Sequence, residues 1–204
     1  MLSRFAQAFV RRLLTPLARL LLKMGVGPDA VTVLGTVGVV AGALWFYPRG
    51  EFWWGTLVIT LFVFSDTLDG TMARLSGRTS PWGAFLDSTL DRLGDAAVFG
   101  GILLYFAEQP GGVPTAWAAL ACLVFGFMVS YARARAEGLG FDAKGGIAER
   151  ADRLVVVLVA TGLTGLFGWP DMVLTVVLTI LAVASAITVV QRMAAVKSQA
   201  FPLG

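Results

Sequence analysis

The chain has 204 residues, of which 57% are hydrophobic and 14% are charged, and its mean hydropathy is +0.78. So apolar a composition excludes an ordinary soluble fold and is typical of a protein that crosses the membrane several times. Histidine is absent and the single cysteine, Cys122, has no partner, which excludes a disulfide framework, a histidine-dependent triad and metal sites built on histidine or cysteine. The formal net charge of +3 is interpreted as a topology signal and not as an indication of nucleic-acid binding.

Residues 1–25 are predicted to form an amphipathic helix that lies at the membrane interface, because apolar and basic residues occupy different faces. A cleaved signal peptide is the weaker alternative, since arginines and Pro16 interrupt the apolar run and no clear cleavage site follows. Pro16 is expected to kink this helix or restart it. The apolar face comprises Leu2, Phe5, Phe9, Leu13, Leu17 and Leu20, and the basic face comprises Arg4, Arg11, Arg12, Arg19 and Lys23.

Six transmembrane helices are predicted over residues 26–204, so that residues 1–204 form a single all-α integral membrane domain. Apolar runs separated by short polar turns define the helices, and Gly38 and Gly42 in the first run are spaced for close helix packing. No internal repeat or linker divides the chain. The predicted spans are 30–47, 52–75, 81–107, 115–137, 148–167 and 171–196.

The distribution of basic residues predicts the orientation of these spans. Nearly every Lys and Arg flanks the N-terminal helix, the turn at 76–80, the loop at 138–147 or the C-terminus, whereas the opposite loops contain only Arg49. Because Lys and Arg are enriched on the cytoplasmic side of membrane proteins, this face and both termini are predicted to be cytoplasmic.

Four acids in or beside the second and third spans are the strongest functional signal in the chain. An ionisable residue inside a membrane helix costs about 2.5–3.5 kcal/mol, and its default interpretation is functional. Two of the acids share a helix face with Gly70 and Ala73, and the other two follow Gly83 by one and two turns. If the two helices pack together, their acids form a carboxylate box. The four acids are Asp66, Asp69, Asp87 and Asp91.

Clustered carboxylates suit hard divalent cations, and Mg²⁺ or Mn²⁺ commonly binds between carboxylates and substrate phosphates. Two ions about 3.5–4 Å apart would polarise a phosphoryl group and stabilise the attacking and leaving oxygens. Asp91 is placed to act as a general base on an incoming alcohol. Without the acids, Arg74 would be interpreted as one of the arginines that commonly flank a membrane helix. Because four acids lie nearby, it is interpreted as a phosphate ligand.

These residues resemble a known signature. The pattern D-x-x-D-G-x-x-A-R, eight further residues and then G-x-x-x-D-x-x-x-D is similar to that of the CDP-alcohol phosphotransferases, whose six-helix layout covers almost the whole chain. Every signature position is filled. The matching residues are Asp66, Asp69, Gly70, Ala73, Arg74, Gly83, Asp87 and Asp91.

The resemblance implies a role for each of these positions. The four acids would hold two metal ions, Asp91 would also deprotonate the acceptor alcohol, and the cytidine diphosphate would lie over Gly70, Ala73 and Arg74. Further contact positions are implied near the starts of the first and third spans. They are Asp29, Ala30, Val31, Thr32 and Ser80, and for Asp29 and Thr32 helix capping is the structural alternative.

A second set of basic residues is predicted to bind the acceptor alcohol. The stretches YARARAEG, GGIAERADRLVVVL and VVQR resemble a subgroup, the phosphatidylinositol-phosphate synthases of actinobacteria. This resemblance implies that guanidinium groups bind an acceptor phosphate, for which bidentate arginine is well suited. No role in acceptor binding is assigned to Arg150 or Asp152, because these two residues can pair across the start of a helix. Ala151 occupies a position at which close relatives are expected to have proline. The implied phosphate ligands are Arg133, Arg135, Arg153 and Arg192.

The predicted reaction is therefore attack of an inositol phosphate hydroxyl on the β-phosphorus of CDP-diacylglycerol, with release of CMP. The lipid tails are expected to enter laterally between helices of a bacterial cell-membrane protein, and the resemblance implies a homodimer. The nearest alternative is a sister enzyme that uses glycerol 3-phosphate. A cation or proton transporter and a non-catalytic scaffold with metal-stabilised helices are the alternatives from other classes.

Overall fold

The computed structural model describes residues 14–77 and 80–201, and within them it contains helices and no strand. The all-α prediction is therefore confirmed for this part of the chain. Residues 14–23 are helical, and a 3-10 turn, Tyr47–Arg49, follows the first long helix. The other helices are α1 (Pro28–Phe46), α2 (Phe52–Val63), α3 (Ser65–Ser76), α4 (Pro81–Glu108), α5 (Val113–Gly138), α6 (Arg150–Phe167) and α7 (Asp171–Ala200).

Of the predicted N-terminal amphipathic helix, residues 1–13 lie outside the described residues, and so do the predicted positions of Leu2, Phe5, Phe9 and Leu13 on its apolar face. Ala18 is fully buried and packs with Val31 and Met72. Leu17 and Leu20, on the predicted apolar face, are exposed. This face is therefore free to contact lipid while the Ala18 side packs against the protein.

Within the described residues, four segments are long and apolar enough to cross a membrane: Pro28–Arg49, Phe52–Ser76, Val113–Gly138 and Asp171–Ala200. The chain is thus a membrane protein. Helix α4 has 28 residues but carries several charges in its first half, and the 18 residues of α6 begin with the charged run Arg150–Arg153. The count of six membrane spans stays a prediction.

The second predicted span differs from expectation because it consists of two helices. Helix α2 ends at Val63 and α3 begins at Ser65, with Phe64 between them at φ −64° and ψ −15°. The backbone tightens there, since the Thr67 amide bonds to the Phe64 carbonyl at 3.2 Å. Asp66 and Asp69 therefore lie in the first two turns of α3, directly after this break.

Glycines allow α1 to pack closely against its neighbours. A Cβ atom added to Gly38 would overlap the Phe62 ring, and one added to Gly42 would lie 2.9 Å from Val58 Cγ1. On α4, a Cβ atom at Gly101 would lie 2.8 Å from the Ala43 carbonyl oxygen. The small-residue spacing in the first span is therefore explained by helix packing, as predicted.

At the end of the bundle opposite the acids, three hydroxyl groups join the helices. Tyr47 Oη lies 3.0 Å from Thr56 Oγ1 and 3.1 Å from Thr161 Oγ1, and the two threonine oxygens are 3.0 Å apart. All three side chains are buried. Phe52 and Phe106 stack beside this hydroxyl triangle with ring centroids 5.9 Å apart, so the end is closed by packed side chains.

Candidate functional site

An open cleft of about 250 Å³ lies between the start of α1, helix α3 and the start of α4. Three of the four predicted metal-binding acids and seven of the other predicted contact residues line it, together with Pro28 and Ala84. Those ten predicted residues are Asp29, Thr32, Asp66, Asp69, Gly70, Ala73, Arg74, Ser80, Gly83 and Asp87.

Asp69 is held by a contact between helices. Thr32 on α1 donates a hydrogen bond of 2.5 Å from its hydroxyl to Asp69 Oδ2 on α3. Gly27 is the N-cap of α1 and no side chain caps that end, so helix capping does not account for Thr32. The hydroxyl instead orients a carboxylate that is only 6% exposed.

The other predicted contacts near the cleft divide into two groups. Asp29 accepts a hydrogen bond of 3.1 Å from the indole nitrogen of Trp82, and Ser80 caps α4 by accepting a bond of 3.0 Å from the Gly83 amide. Ala30 is exposed and Val31 packs in the small core with Met72. Neither Ala30 nor Val31 is among the residues that line the cleft.

The cleft glycines differ from the packing glycines of α1 and α4. A Cβ atom added to Gly70 would have Arg74 Nη1 as its nearest neighbour at 3.6 Å, and one added to Gly83 would have Ser80 Oγ at 3.5 Å. Both are ordinary contacts, so helix packing does not require glycine at either position. Their small size leaves the wall of the cleft open to a ligand.

Asp91 lies on the other side of Asp66 from the cleft, beside Arg150. Arg150 Nη1 is 2.7 Å from Asp91 Oδ1 and 3.3 Å from Asp66 Oδ2, and Arg150 Nε is 3.3 Å from Asp95 Oδ1. A small cavity of about 10 Å³ is lined by these four side chains. Because Asp66 lines both spaces, it connects the open cleft with the Arg150 cluster.

The start of α6 fixes the backbone of Arg150. Glu149 is the N-cap, and the side chains of Glu149 and Asp152 form a reciprocal capping box with each other's backbone amides. The Asp152 carboxylate accepts a bond of 3.2 Å from the Glu149 amide. Asp152 therefore acts within its own helix, whereas Arg150 reaches across to α3 and α4.

The acids of the cleft have the donor chemistry for a hard divalent cation. Asp66, Asp69 and Asp87 are mutually close enough to repel one another, and carboxylate oxygens are the ligands that Mg²⁺ and Mn²⁺ prefer. Among the described residues, no group of three or more acids is held in position to bind a metal ion by itself. Because Mg²⁺ is usually bound through one or two carboxylates together with substrate phosphates, this donor set fits a cation that also takes oxygens from a bound substrate.

The four predicted acceptor arginines are not all brought together. Arg153 is buried, and its Nη1 donates to the Ala148 carbonyl at 2.9 Å. Arg133 pairs on the surface with Glu137 at 2.9 Å, and Arg135 is exposed.

Arg192 lines a pocket of about 290 Å³ at the same end of the bundle. Its Nη1 donates to the Val129 carbonyl at 2.6 Å, and its Nε donates to the Gly145 carbonyl at 3.1 Å. Arg133 is near enough to repel Arg192. The other residues of this pocket, called here the Arg192 pocket, are Lys144, Gly145, Gly146, Ile147, Gln191 and Ala195.

The sequence patterns predicted no role for Asp95 or Lys144, and they did not decide whether Arg150 binds the acceptor phosphate. Asp95 continues the four-residue spacing of Asp87 and Asp91, and that spacing was the available signal. The position of Arg150 against α3 and α4 depends on how distant helices pack, which no local pattern encodes.

Comparison with known proteins agrees with this geometry. A family model for CDP-alcohol phosphatidyltransferase matches residues 26–187. A phosphatidylinositol phosphate synthase from Streptomyces avermitilis is 53% identical, over 98% of this chain and 84% of its own length. One from Cutibacterium acnes is 51% identical, over 97% of this chain and 98% of its own length.

Solved structures of the phosphatidylinositol phosphate synthase of Mycobacterium tuberculosis have a similar fold. The structure with CDP-DAG bound has a TM-score of 0.87 and 45% identity, and the match covers 91% of this chain and 94% of that one. The structure in complex with manganese and citrate also gives a TM-score of 0.87 at 45% identity, with coverages of 91% and 89%.

Proposed function

Because the chain belongs to the CDP-alcohol phosphatidyltransferase family, we propose that it transfers the phosphatidyl group of CDP-diacylglycerol to inositol phosphate. The products are phosphatidylinositol phosphate and CMP. The observation that carries this proposal is the cleft in which acids from α3 and α4 face two glycines that packing does not require. Similar relatives that are named phosphatidylinositol phosphate synthase support the choice of acceptor.

The cleft is proposed to bind the cytidine diphosphate part of the donor. Gly70, Ala73 and Gly83 leave room for the diphosphate against the helix backbones, and Arg74 lies within the same cleft to pair with a phosphate oxygen. Asp29, Thr32 and Ser80 line the nearer wall, and the adjoining Ala30 and Val31 complete the proposed donor segment. The diacylglycerol tails extend laterally into the membrane.

Asp66, Asp69, Asp87 and Asp91 are proposed to hold the divalent cations, Mg²⁺ or Mn²⁺, most simply as two ions. When bound, the ions supply positive charge that neutralises the diphosphate and polarises its phosphorus. The manganese complex of the Mycobacterium tuberculosis synthase supports the use of a divalent metal. Thr32 contributes by fixing the Asp69 carboxylate through its hydroxyl.

The proposed reaction is a displacement at the β-phosphorus of CDP-diacylglycerol. The acceptor hydroxyl oxygen forms a new bond to this phosphorus, the bond to the CMP oxygen breaks, and the hydroxyl proton passes to Asp91. Arg150, 2.7 Å from Asp91 Oδ1, directs the carboxylate. Asp91 is thus the proposed catalytic base as well as a metal ligand.

The acceptor phosphate is proposed to bind near the Arg192 pocket, where Lys144 adds a second positive charge. The lining of this pocket does not include Arg133, Arg135 or Arg153. They are proposed to support acceptor binding from nearby, Arg153 from its buried position behind the pocket wall. Glycerol 3-phosphate also carries a phosphate that such a site would attract, so it remains the alternative acceptor.

The arrangement of the bundle favours an enzyme over a transporter. The acids lie at one end, and the opposite end is closed by the hydroxyl triangle and the stacked rings of Phe52 and Phe106. An ion path would need polar access from both ends. We therefore propose one membrane unit, with residues 1–25 as an interfacial helix and residues 26–204 as six spans, whose termini and active site face the cytoplasm of a bacterial cell. A homodimer is proposed on family grounds.

The acceptor assignment is tested by incubating purified enzyme with CDP-diacylglycerol, Mg²⁺ and either inositol phosphate or glycerol 3-phosphate. We expect CMP release and phosphatidylinositol phosphate with the first acceptor and little product with the second. Product from glycerol 3-phosphate alone would overturn the acceptor assignment but preserve the family reaction. Absence of CMP release with either acceptor would contradict the proposed function as a whole.

A further inference from the structure

Asp95 is a buried acid that the proposed reaction leaves without a role. It lies on α4 one turn after Asp91 and is 6% exposed. Arg150 Nε is 3.3 Å from Asp95 Oδ1, while Arg92 Nε and Arg153 Nη2 are 3.7 Å and 3.9 Å from Asp95 Oδ2. Three guanidinium groups therefore share one carboxylate.

Through Arg150, Asp95 is linked to two of the proposed metal-binding acids. While its Nε faces Asp95, its Nη1 lies 2.7 Å from Asp91 Oδ1 and 3.3 Å from Asp66 Oδ2. A guanidinium is rigid and planar, so a carboxylate that fixes Nε also fixes the direction of Nη1. Asp95 thereby sets the position of the group that directs Asp91.

Through Arg153, Asp95 is linked to the loop that forms one wall of the Arg192 pocket. Arg153 is 1% exposed, and its Nη1 donates to the Ala148 carbonyl at 2.9 Å. The Ala148 amide in turn donates to Thr188 Oγ1 at 3.1 Å, which ties the end of the 139–149 loop to α7. Residues 144–147 of this loop form a wall of the Arg192 pocket.

We propose that Asp95 is a positioning residue that couples the catalytic acids to the acceptor pocket. Its charge holds Arg150 toward Asp91 and Asp66, and it compensates Arg153 beneath the loop that forms the acceptor wall. An uncharged residue at this position would remove the carboxylate that fixes Arg150 Nε and would leave the buried Arg153 without its ion-pair partner. The roles of Asp91 and of the Arg192 pocket in this inference rest on the proposed function.

The test is Asp95→Asn, which keeps the size of the side chain and removes its charge. In purified enzyme we expect kcat/KM for the acceptor to fall by about tenfold or more, through both kcat and the acceptor KM, since truncating a buried charge pair is costly. The KM for CDP-diacylglycerol should stay within about twofold, because Asp95 does not line the donor cleft. Equal changes in the two KM values, or a loss of thermal stability alone, would overturn the proposal.

Two further variants keep the test decisive if Asp95→Asn folds poorly. Arg150→Gln removes the link to Asp91 and should reproduce the loss of kcat, and its effect should not add to that of Asp95→Asn in the double variant. Additive effects would contradict the coupling. Thr161→Val, at the opposite end of the bundle, is the control for destabilisation and should leave both KM values unchanged.

The acceptor used in these assays is whichever one the wild-type enzyme accepts. If the wild type uses glycerol 3-phosphate, the inositol phosphate assignment fails, yet a selective effect of Asp95→Asn on that acceptor would still support the positioning role. If the wild type uses inositol phosphate and Asp95→Asn changes neither constant, the positioning role alone fails.

Discussion

At one end of the bundle, Arg150 joins α3, α4 and α6 through ion pairs to three aspartates, whereas at the other end three hydroxyls join the 3-10 turn, α2 and α6. The hydroxyl triangle links helices without burying charge. Ion pairs taken from water recover little of their desolvation cost, so they are weak evidence of a purely stabilising role. The charged end is also accessible, with the Arg150 and Asp66 side chains 26% and 33% exposed. This difference supports the proposal that the charged side chains bind ligands, whereas the hydroxyl groups join packed helices.

The largest effect is expected from Asp91→Asn at the charged end. Loss of the proposed base and metal ligand should lower kcat by about 10²–10⁴-fold, as for other general bases, and CMP release by purified enzyme measures it. Asp171→Asn, at the exposed start of α7 on the opposite end, is the matched control and should retain wild-type activity. Near-normal turnover by Asp91→Asn would support the scaffold alternative.

A second comparison uses two glycines with different surroundings. Gly70→Val places methyl groups in the open cleft, so it should raise the KM for CDP-diacylglycerol by about tenfold or more with little change in melting temperature. Gly101→Val meets the Ala43 carbonyl, and such overpacking should cost about 1–3 kcal/mol of stability. Donor titrations and thermal unfolding of both variants check this. The distinction between cleft and packing glycines would be wrong if both variants lost stability equally.

The smallest effect is expected at the hydroxyl triangle. Thr161→Val removes one hydroxyl but leaves Tyr47 and Thr56 able to bond to each other at 3.0 Å, so stability should fall by about 1 kcal/mol. Activity per folded molecule should not change. A selective loss of turnover in this variant would show that the far end takes part in catalysis, and would contradict the division between the two ends.

Much of the fold was predictable because membrane helices leave strong local signals. Apolar runs and turn residues located the helices, and the paired glycines of α1 predicted close packing. The break at Phe64 was missed, since the sequence around it contains neither proline nor glycine and its apolar run continues to Ser65. The prediction of an amphipathic helix over residues 1–13 falls outside the described residues.

The candidate site was predictable where function depends on spacing along one helix. As predicted, the acids of α3 and α4 lie at the same end of the bundle, and ten of the predicted site residues line one cleft. The proposed roles of Arg150 and Asp95 depend on contacts between helices that are distant in sequence. The four predicted acceptor arginines also could not be placed from local patterns. Arg153 is buried and donates to the Ala148 carbonyl, whereas Arg133 pairs with Glu137 on the surface.

The central claim is that the acids and the bound donor together complete the metal site. Mn²⁺ binding to purified wild-type enzyme, measured by electron paramagnetic resonance with and without CDP-diacylglycerol, tests it most directly. Since the cation is expected to take ligands from both the acids and the donor phosphates, the donor should tighten Mn²⁺ binding by about tenfold or more, and Mn²⁺ should tighten donor binding by the same factor. Asp87→Asn should abolish the coupling. Equal Mn²⁺ affinity with and without the donor would contradict the account.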